Sequence, residues 1–168
     1  MDNAIKKIGQ IFILMISIIG FSQERSTIEI IDMKFMVEEE KVARDVYERL
    51  DDKWDLRIFS NIKQSEQRHL DMMENLLNTN KIDYEISDEQ GVFYNKELQQ
   101  IYDDLIEKGL KSQYDALQVG KQIEETDIAD LEEAIANTKD IYLKQVYSNL
   151  LRASENHLRA FNRQLSRY

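Results

Sequence analysis

The chain has 168 residues, enough for one domain with a sizeable core and too few for two comfortable ones. It contains no proline and only five glycines, a composition typical of a mostly helical protein. A net charge of −10 argues against nucleic acid as a partner, because phosphate backbones bind clusters of Lys and Arg. Without cysteine, the chain can form neither disulfides nor thiolate sites, so any metal ion must be held by oxygen and imidazole.

The beginning of the chain has a different character from the rest. Lys6 and Lys7 precede an apolar run over 11–21, and small residues lie at Gly20 and Ser22. This pattern predicts a secretory signal peptide over 1–22, followed by an exported domain over 23–168 that is periplasmic or secreted. The run is shorter than the roughly 20 residues that a membrane span needs, so we expect no stable membrane insertion after cleavage. An uncleaved membrane anchor is the alternative.

The first helix is predicted over about 31–50, and an acidic run interrupts its apolar stripe. Glu40 lies one turn before Ala43 on that stripe, so it is the acidic residue expected to face inward. Glu39 is the second choice, and Glu38 is expected in solvent. The alternative is that all three form a solvated run near a helix N-terminus, where negative charge is favourable.

The second predicted helix, capped by Asp55 and reaching about Asn80, carries the strongest chemical signal. Glu66 and His69 are three residues apart, so on a helix they share one face. Apolar residues follow the same period on that face: Phe59, Ile62, Leu70, Met73, Leu76 and Leu77. A carboxylate and an imidazole in such a stripe need a partner, and Glu-x-x-His supplies ligands in di-metal bundles. One such pair also arises by chance on solvated helices.

A long connection over 81–112 follows, with a short helix capped by Asn95 and ending at Gly109. A crossover of this length is the topology of ferritin-like bundles, whereas a simple up-and-down pair needs only a short turn.

The third long helix is predicted over about 113–137, with Glu124 in the middle of its apolar stripe. Asp127 shares the face of Glu124 one turn later, whereas Glu125 lies about 100° round the helix and is expected to flank the site or meet solvent. Gly120 within this helix costs about 1 kcal/mol relative to alanine, which close packing against another helix would explain.

The fourth long helix is predicted over about 139–166, and His157 lies on its apolar stripe. The only two histidines of the chain, His69 and His157, therefore both lie on apolar faces of long helices. One inward histidine is more often a hydrogen-bonded core residue than a ligand. Two of them, with inward carboxylates on three helices, favour a shared metal site.

The segment 40–47 resembles the first-helix pattern Glu-x-x-Ala-Arg-x-x-Tyr of rubrerythrin-type ferritin-like proteins, and Glu66 to His69 matches their Glu-x-x-His. Tyr47 ends the first pattern and is expected to be a core tyrosine, with a hydrogen bond to a ligand or an electron relay as the alternatives. Five blocks are similar to the ferritin-like family called domain of unknown function twenty-two-oh-two: EEEKVARDVYERL, IFSNIKQSEQRH, GVFYNKELQ, IEETDIADLEEA and LLRASENHLRAF. The resemblance implies an all-α, ferritin-like four-helix bundle whose long crossover carries a short extra helix between helices two and three.

The resemblance also implies a set of metal ligands: Glu40, Glu66, His69, Glu124 and His157. Ser154 stands where the pattern has a second glutamate, three residues before His157. Three arrangements stay open: Asp127 completes a second metal position, the site holds one ion, or it holds none and forms a network of carboxylates and protonated histidines. By resemblance we expect iron, as one or two ions, with manganese or zinc suited to the same donors.

Two functions from different classes remain. The first is an exported oxidoreductase in which ferrous iron reacts with oxygen or peroxide. The second is a non-enzymatic helical bundle that binds a structural metal or a protein partner on its acidic surface. The expected partner is a metal ion, and a homodimer is left open as the oligomeric state.

Overall fold

A computed structural model describes residues 25–168, which form five α-helices and no β-strand. The helices are α1 (Thr27–Trp54), α2 (Arg57–Thr79), α3 (Lys96–Gly109), α4 (Gln113–Asn137) and α5 (Ile141–Leu165). The prediction of an all-helical fold is confirmed for this part of the chain. The predicted signal peptide over 1–22 lies outside the described residues. Within residues 25–168, no helix combines the length and the apolar character needed to cross a membrane.

The two ends of α1 differ from the sequence expectation. The helix begins earlier, because Ser26 and Glu29 form a capping box in which each side chain accepts a hydrogen bond from the backbone N–H of the other. The prediction that Asp55 caps α2 is wrong. Asp55 instead ends α1 in a left-handed backbone conformation with φ 48°, and its N–H donates to the carbonyl of Asp51. Leu56 precedes α2 without any side-chain cap.

The long helices pack as two pairs, α1 with α2 and α4 with α5, and the pairs meet through contacts of α1 with α4 and of α2 with α5. The shorter α3 packs against α1 and α4. Close approach of α4 to α5 explains the glycine within α4. A Cβ atom on Gly120 would lie 2.2 Å from a ring atom of Phe161, so only glycine fits, as the sequence predicted.

Buried apolar residues form two clusters at different heights along the bundle. One contains α1 residues from Val42 onward together with Phe59, Ile123 and Phe161. The other contains Met33, Met36 and Val37 of α1 with partners that include Met73, Leu131, Leu143 and Leu150. Along each of the four long helices, a stretch separates the residues of one cluster from those of the other. The candidate metal ligands lie in these stretches and form a polar layer between two apolar ones.

A buried ion pair fixes the connection between α2 and α3 on α1. Nζ of Lys41 lies 2.6 Å from Oδ2 of Asp45, and both side chains are almost fully buried. The same ammonium donates to the carbonyls of Glu89 and Val92, at 2.9 and 3.2 Å. The backbone N–H of Gly91 donates to Asp45 at 2.9 Å. The connection is thereby held over the middle of α1.

Candidate metal site

Five of the predicted ligands meet in the polar layer between the apolar clusters. α1 contributes Glu40, α2 contributes Glu66 and His69, α4 contributes Glu124 and α5 contributes His157. The carboxylates of Glu66 and Glu124 are fully buried, Glu40 and His69 are each 6% exposed, and His157 is partly buried. The helical period therefore predicted correctly that these side chains face inward.

Glu66 occupies the centre of the layer, because each of its oxygens faces a different histidine. Oε2 of Glu66 lies 2.8 Å from Nδ1 of His69, and Oε1 lies 2.9 Å from Nδ1 of His157. A second carboxylate approaches each histidine: Glu40 Oε2 lies 3.3 Å from His69 Nδ1, and Glu124 Oε2 lies 3.4 Å from His157 Nδ1. The result is two groups of two carboxylates and one imidazole that share Glu66, each with its ligand atoms within 4.8 Å of one another.

Four atoms of this layer are buried without a hydrogen-bond partner: Glu40 Oε2, Glu66 Oε1, Glu124 Oε2 and His157 Nδ1. Glu66 Oε1 and His157 Nδ1 lie 2.9 Å apart, yet they are not aligned as acceptor and donor. Each unsatisfied buried polar group costs about 1–3 kcal/mol, so native proteins rarely leave one. Four such atoms lie in this one layer, and all of them can ligate a cation. They indicate that a partner for these atoms is missing.

The protonation of the layer follows from burial and from the facing charges. Burial raises the pKa of Glu40 and of Glu124 to about 7, although the neighbouring histidines oppose this shift. Burial also disfavours ionised Glu66, but the two histidines that face its oxygens outweigh burial and lower its pKa to about 2. Burial lowers the pKa of each histidine, but the carboxylates outweigh it and raise the pKa of His69 to about 10 and of His157 to about 9. Without a cation, both imidazoles therefore hold protons at neutral pH.

Two hydroxyl groups support the ligands from outside the layer. The Tyr47 hydroxyl donates a 2.6 Å hydrogen bond to Oε1 of Glu124, which leaves Oε2 facing His157. The Tyr47 ring packs against Phe59 and Phe161 in the apolar core. It is thus both a core tyrosine and the hydrogen-bond partner of a candidate ligand. On α2, Oγ of Ser65 lies 3.4 Å from Nε2 of His69, one turn before it.

Asp127 belongs to neither group of candidate ligands. Its side chain is half-buried and lines a cavity beside the layer. Burial raises its pKa well above the usual value, and so do the charges of Glu124 and Glu40. Ser154 is buried, and its hydroxyl donates to the backbone carbonyl of Leu150 at 3.3 Å, so it offers no ligand in place of the glutamate expected there.

The burial of the three consecutive glutamates of α1, Glu38 to Glu40, differs in part from the prediction. Glu38, expected in solvent, is only 9% exposed, so that expectation is wrong. Asp83 and Glu85, from the connection after α2, line one cavity together with Glu38, and helical periodicity does not reveal this part of its surroundings. Glu39 is half-buried, and Glu40 joins the layer as predicted. Glu125 is exposed, in agreement with the sequence.

The fold and the site define a helical protein with a buried carboxylate and histidine layer. A family described as uncharacterized protein domain (DUF2202) matches residues 29–168, and the chain belongs to this family. The chain is 50% identical over 134 residues to the uncharacterized protein MJ0754 of Methanocaldococcus jannaschii, over 79% of this chain and 72% of that protein. The crystal structure of hypothetical protein MJ0754 from Methanococcus jannaschii DSM 2661 matches with a TM-score of 0.85 and 48% identity, over 87% of this chain and 84% of the other.

Proposed function

We propose that this chain is a ferritin-like metal-binding protein that holds two iron ions between its four long helices. The observation that carries the proposal is the shared carboxylate. Glu66 presents one oxygen to the group of Glu40 and His69, and the other to the group of Glu124 and His157. A carboxylate placed between two sets of oxygen and imidazole donors is the arrangement used by di-iron carboxylate bundles.

The donor set fits a transition metal ion. Carboxylate oxygen and imidazole nitrogen suit iron, manganese and zinc, and the four orphaned buried atoms are of these two kinds. Among residues 25–168, no Lys or Arg forms an ion pair with Glu40, Glu66 or Glu124, so a cation is the partner that would balance these carboxylates. Iron is preferred to the other two metals on the family resemblance.

Bound ferrous iron would supply electrons to oxygen or peroxide, which makes an oxidoreductase the proposed activity. The protein residues contribute in other ways. His69 and His157 release their protons when they bind a cation, Tyr47 holds one oxygen of Glu124 in place, and the apolar layers on both sides limit water. Loading of the site is therefore coupled to proton release.

A second candidate function is favoured by Ser154. The Glu-x-x-His pair of α2 has no full counterpart on α5, because Ser154 bonds to its own helix rather than pointing a donor into the layer. A site with five donor side chains can hold a metal that only stabilises the bundle. This alternative predicts a higher melting temperature on metal addition without turnover of oxygen or peroxide.

Elemental analysis of the purified protein tests the proposal. We expect about two iron ions per chain, because the two ligand groups share one carboxylate. Glu66→Gln keeps the shape of the shared side chain and removes its charge, so both ions should be lost. Glu125→Gln changes the exposed neighbour of Glu124 on the same helix and should leave both ions bound. A wild-type protein that holds no metal and keeps its full stability in chelator would overturn the proposal.

Two further variants assign the ions to their ligands. His157→Ala should remove the ion held with Glu124 and retain the one held with Glu40. Asp127→Asn tests the prediction that Asp127 completes a metal position, for which its side chain would have to turn from the cavity into the layer. Loss of one ion in Asp127→Asn would establish that role, and retention of both would exclude it.

We propose, in addition, that the protein is exported. The proposal depends on the sequence of residues 1–22, which combines a positive start with a short apolar run. Cell fractionation followed by intact-mass measurement tests it. A product that begins at Gln23 outside the cytoplasm supports export, and a full-length product in the cytoplasm contradicts it.

A further inference from the structure

A small cavity lies beside the candidate metal site, between α1, α3 and α4. Its volume of about 50 Å³ exceeds the roughly 10–15 Å³ that one water molecule needs, so it admits a molecule of a few heavy atoms. Five aliphatic residues form much of its wall: Val42, Ala43, Leu98, Leu105 and Ile123. The polar remainder comes from Glu39, Gln122, Thr126 and Asp127.

The cavity shares its walls with two of the ligand helices. On α1, Ala43 lies one turn after Glu40 and on the same face. On α4, Asp127 lines the cavity one turn after Glu124, and the two carboxyl groups are close enough to influence each other's charge. Residues of the cavity wall therefore lie one helical turn from the candidate ligands Glu40 and Glu124.

α3 forms one wall of the cavity. Leu98 and Leu105 of α3 are 2% and 5% exposed, and they complete the aliphatic wall opposite α1 and α4. This helix contributes no residue to either ligand group. Its leucines can therefore be changed without touching a candidate ligand, which separates the cavity from the metal site in an experiment.

We propose that this cavity is the pocket through which dioxygen reaches the metal layer, an inference that rests on the function proposed above. The aliphatic wall favours a small apolar molecule over water. The small volume of the cavity suits a molecule of a few heavy atoms rather than a drug-sized ligand, whose pockets measure several hundred cubic ångströms. A neutral diatomic molecule satisfies both conditions.

The test uses the full-length metal-free protein and dioxygen itself. Dioxygen is paramagnetic, so under pressure it accelerates the relaxation of methyl groups near which it resides. In a methyl-labelled sample we expect severalfold larger enhancement at Val42, Leu105 and Ile123 than at Leu77 and Leu150 of the other apolar cluster. Equal enhancement in the two clusters, or none at the cavity, would overturn the pocket.

Two substitutions on α3 sharpen the result. Leu105→Phe fills the cavity and should abolish the local enhancement. Ile101→Phe makes a comparable change on the exposed face of the same helix and should leave it intact. If Leu105→Phe does not fold, xenon gives the same information with the wild-type protein, because xenon in the cavity should displace dioxygen and reduce the enhancement at Val42. Persistence of the enhancement in Leu105→Phe or under xenon contradicts the proposal.

Gas binding and metal content are separate readouts. Iron bound without dioxygen in the cavity refutes the pocket and leaves the proposed function standing. Dioxygen in the cavity of a chain that binds no metal refutes the proposed function and reduces the cavity to a packing void that admits gas. Only iron in the layer together with dioxygen in the cavity supports both.

Discussion

Nδ1 of His157 lies 2.9 Å from Oε1 of Glu66, and Nδ1 of His69 lies 2.8 Å from the other oxygen of the same carboxylate. Without a metal, these contacts join a carboxylate to two protonated imidazoles. The same three side chains can ligate cations only after the imidazoles lose their protons. Low pH thus favours the metal-free layer with protonated imidazoles, and high pH favours the metal-bound layer with neutral imidazoles. This difference can be measured.

The stability of the metal-free protein should fall as the pH rises above neutral. The protonated imidazoles of His69 and His157 stabilise the fold fully below their unfolded pKa of 6.5. This stabilisation is lost as the pH rises through about 9 for His157 and about 10 for His69. The raised pKa of about 7 for Glu40 and Glu124 adds a cost as the pH rises from 4.5 through 7. Glu66 acts oppositely, since its stabilisation is lost only as the pH falls from 4.5 toward 2. We expect the highest melting temperature at about pH 5–6.

Addition of zinc, which brings no redox chemistry, provides the comparison. Zinc must displace about two protons, one from each imidazole. The rise in melting temperature on adding zinc should therefore be larger at about pH 8 than at about pH 6. Glu66→Gln should remove both the zinc effect and its pH dependence. A zinc effect that shrinks as the pH rises would contradict the protonation of the layer described above.

Ser154→Glu restores a Glu-x-x-His pair on α5. Because Ser154 is 2% exposed, the new carboxyl enters the layer without a partner in the metal-free protein and should destabilise it by at least about 1–3 kcal/mol. With metal present, the same carboxyl becomes an additional ligand. We expect denaturant unfolding to show a lower stability than wild type in chelator, and a larger gain on metal addition.

Ser154→Gln is the matched control, since it has nearly the same volume and no charge. It should share the metal-free destabilisation caused by size and lack the additional gain on metal addition. If Glu and Gln at this position respond equally to metal, the side chain at 154 does not reach the ions and the asymmetry between α2 and α5 has no effect on binding.

The inward direction of the candidate ligands could be predicted from the sequence, because helical geometry alone fixes which side chains share a face. Glu40, Glu66 and Glu124 lie within apolar stripes of long helices, and the structure buries all three. Close packing was also the expected reason for the glycine at Gly120, and Phe161 supplies that contact. Periodicity was sufficient for the glutamates, and the low helix propensity of glycine was sufficient for Gly120.

Features that depend on distant parts of the chain could not be predicted in this way. Nothing local to α1 marks Lys41 and Asp45 as a buried ion pair, because the connection around Gly91 that bonds to them comes from a distant part of the chain. The same connection lines a cavity together with Glu38. Aspartate is a common N-cap residue, but the turn between α1 and α2 places Asp55 in a left-handed conformation that ends α1.

Tyr47→Phe should destabilise the protein by about 1–3 kcal/mol, because it removes the hydrogen bond to Glu124 and leaves a buried carboxylate oxygen without a partner. Tyr147→Phe provides a matched comparison. The Tyr147 hydroxyl is buried without a hydrogen-bond partner, so its removal should be neutral or stabilising. Urea unfolding measures both changes. Equal effects of the two substitutions would show that the hydroxyl of Tyr47 contributes nothing beyond its ring.

Asp45→Asn should be among the most destabilising single substitutions outside the metal layer. It leaves the Lys41 ammonium, which is 1% exposed, without its counter-charge, and breaking a buried ion pair costs about 3–5 kcal/mol. It also weakens the bond from the N–H of Gly91, so limited proteolysis should cut the connection between α2 and α3 faster than in wild type. The double variant Lys41→Met with Asp45→Leu removes both buried charges, so it should recover part of the lost stability. The recovery is partial because Arg44 also loses the Asp45 oxygen that lies 2.6 Å from its Nη2. Because Gly91 then still lacks its acceptor, the connection should remain more susceptible to protease in the double variant. Full recovery of both stability and protease resistance would mean that the connection is held by apolar contacts such as Phe93 rather than by Asp45.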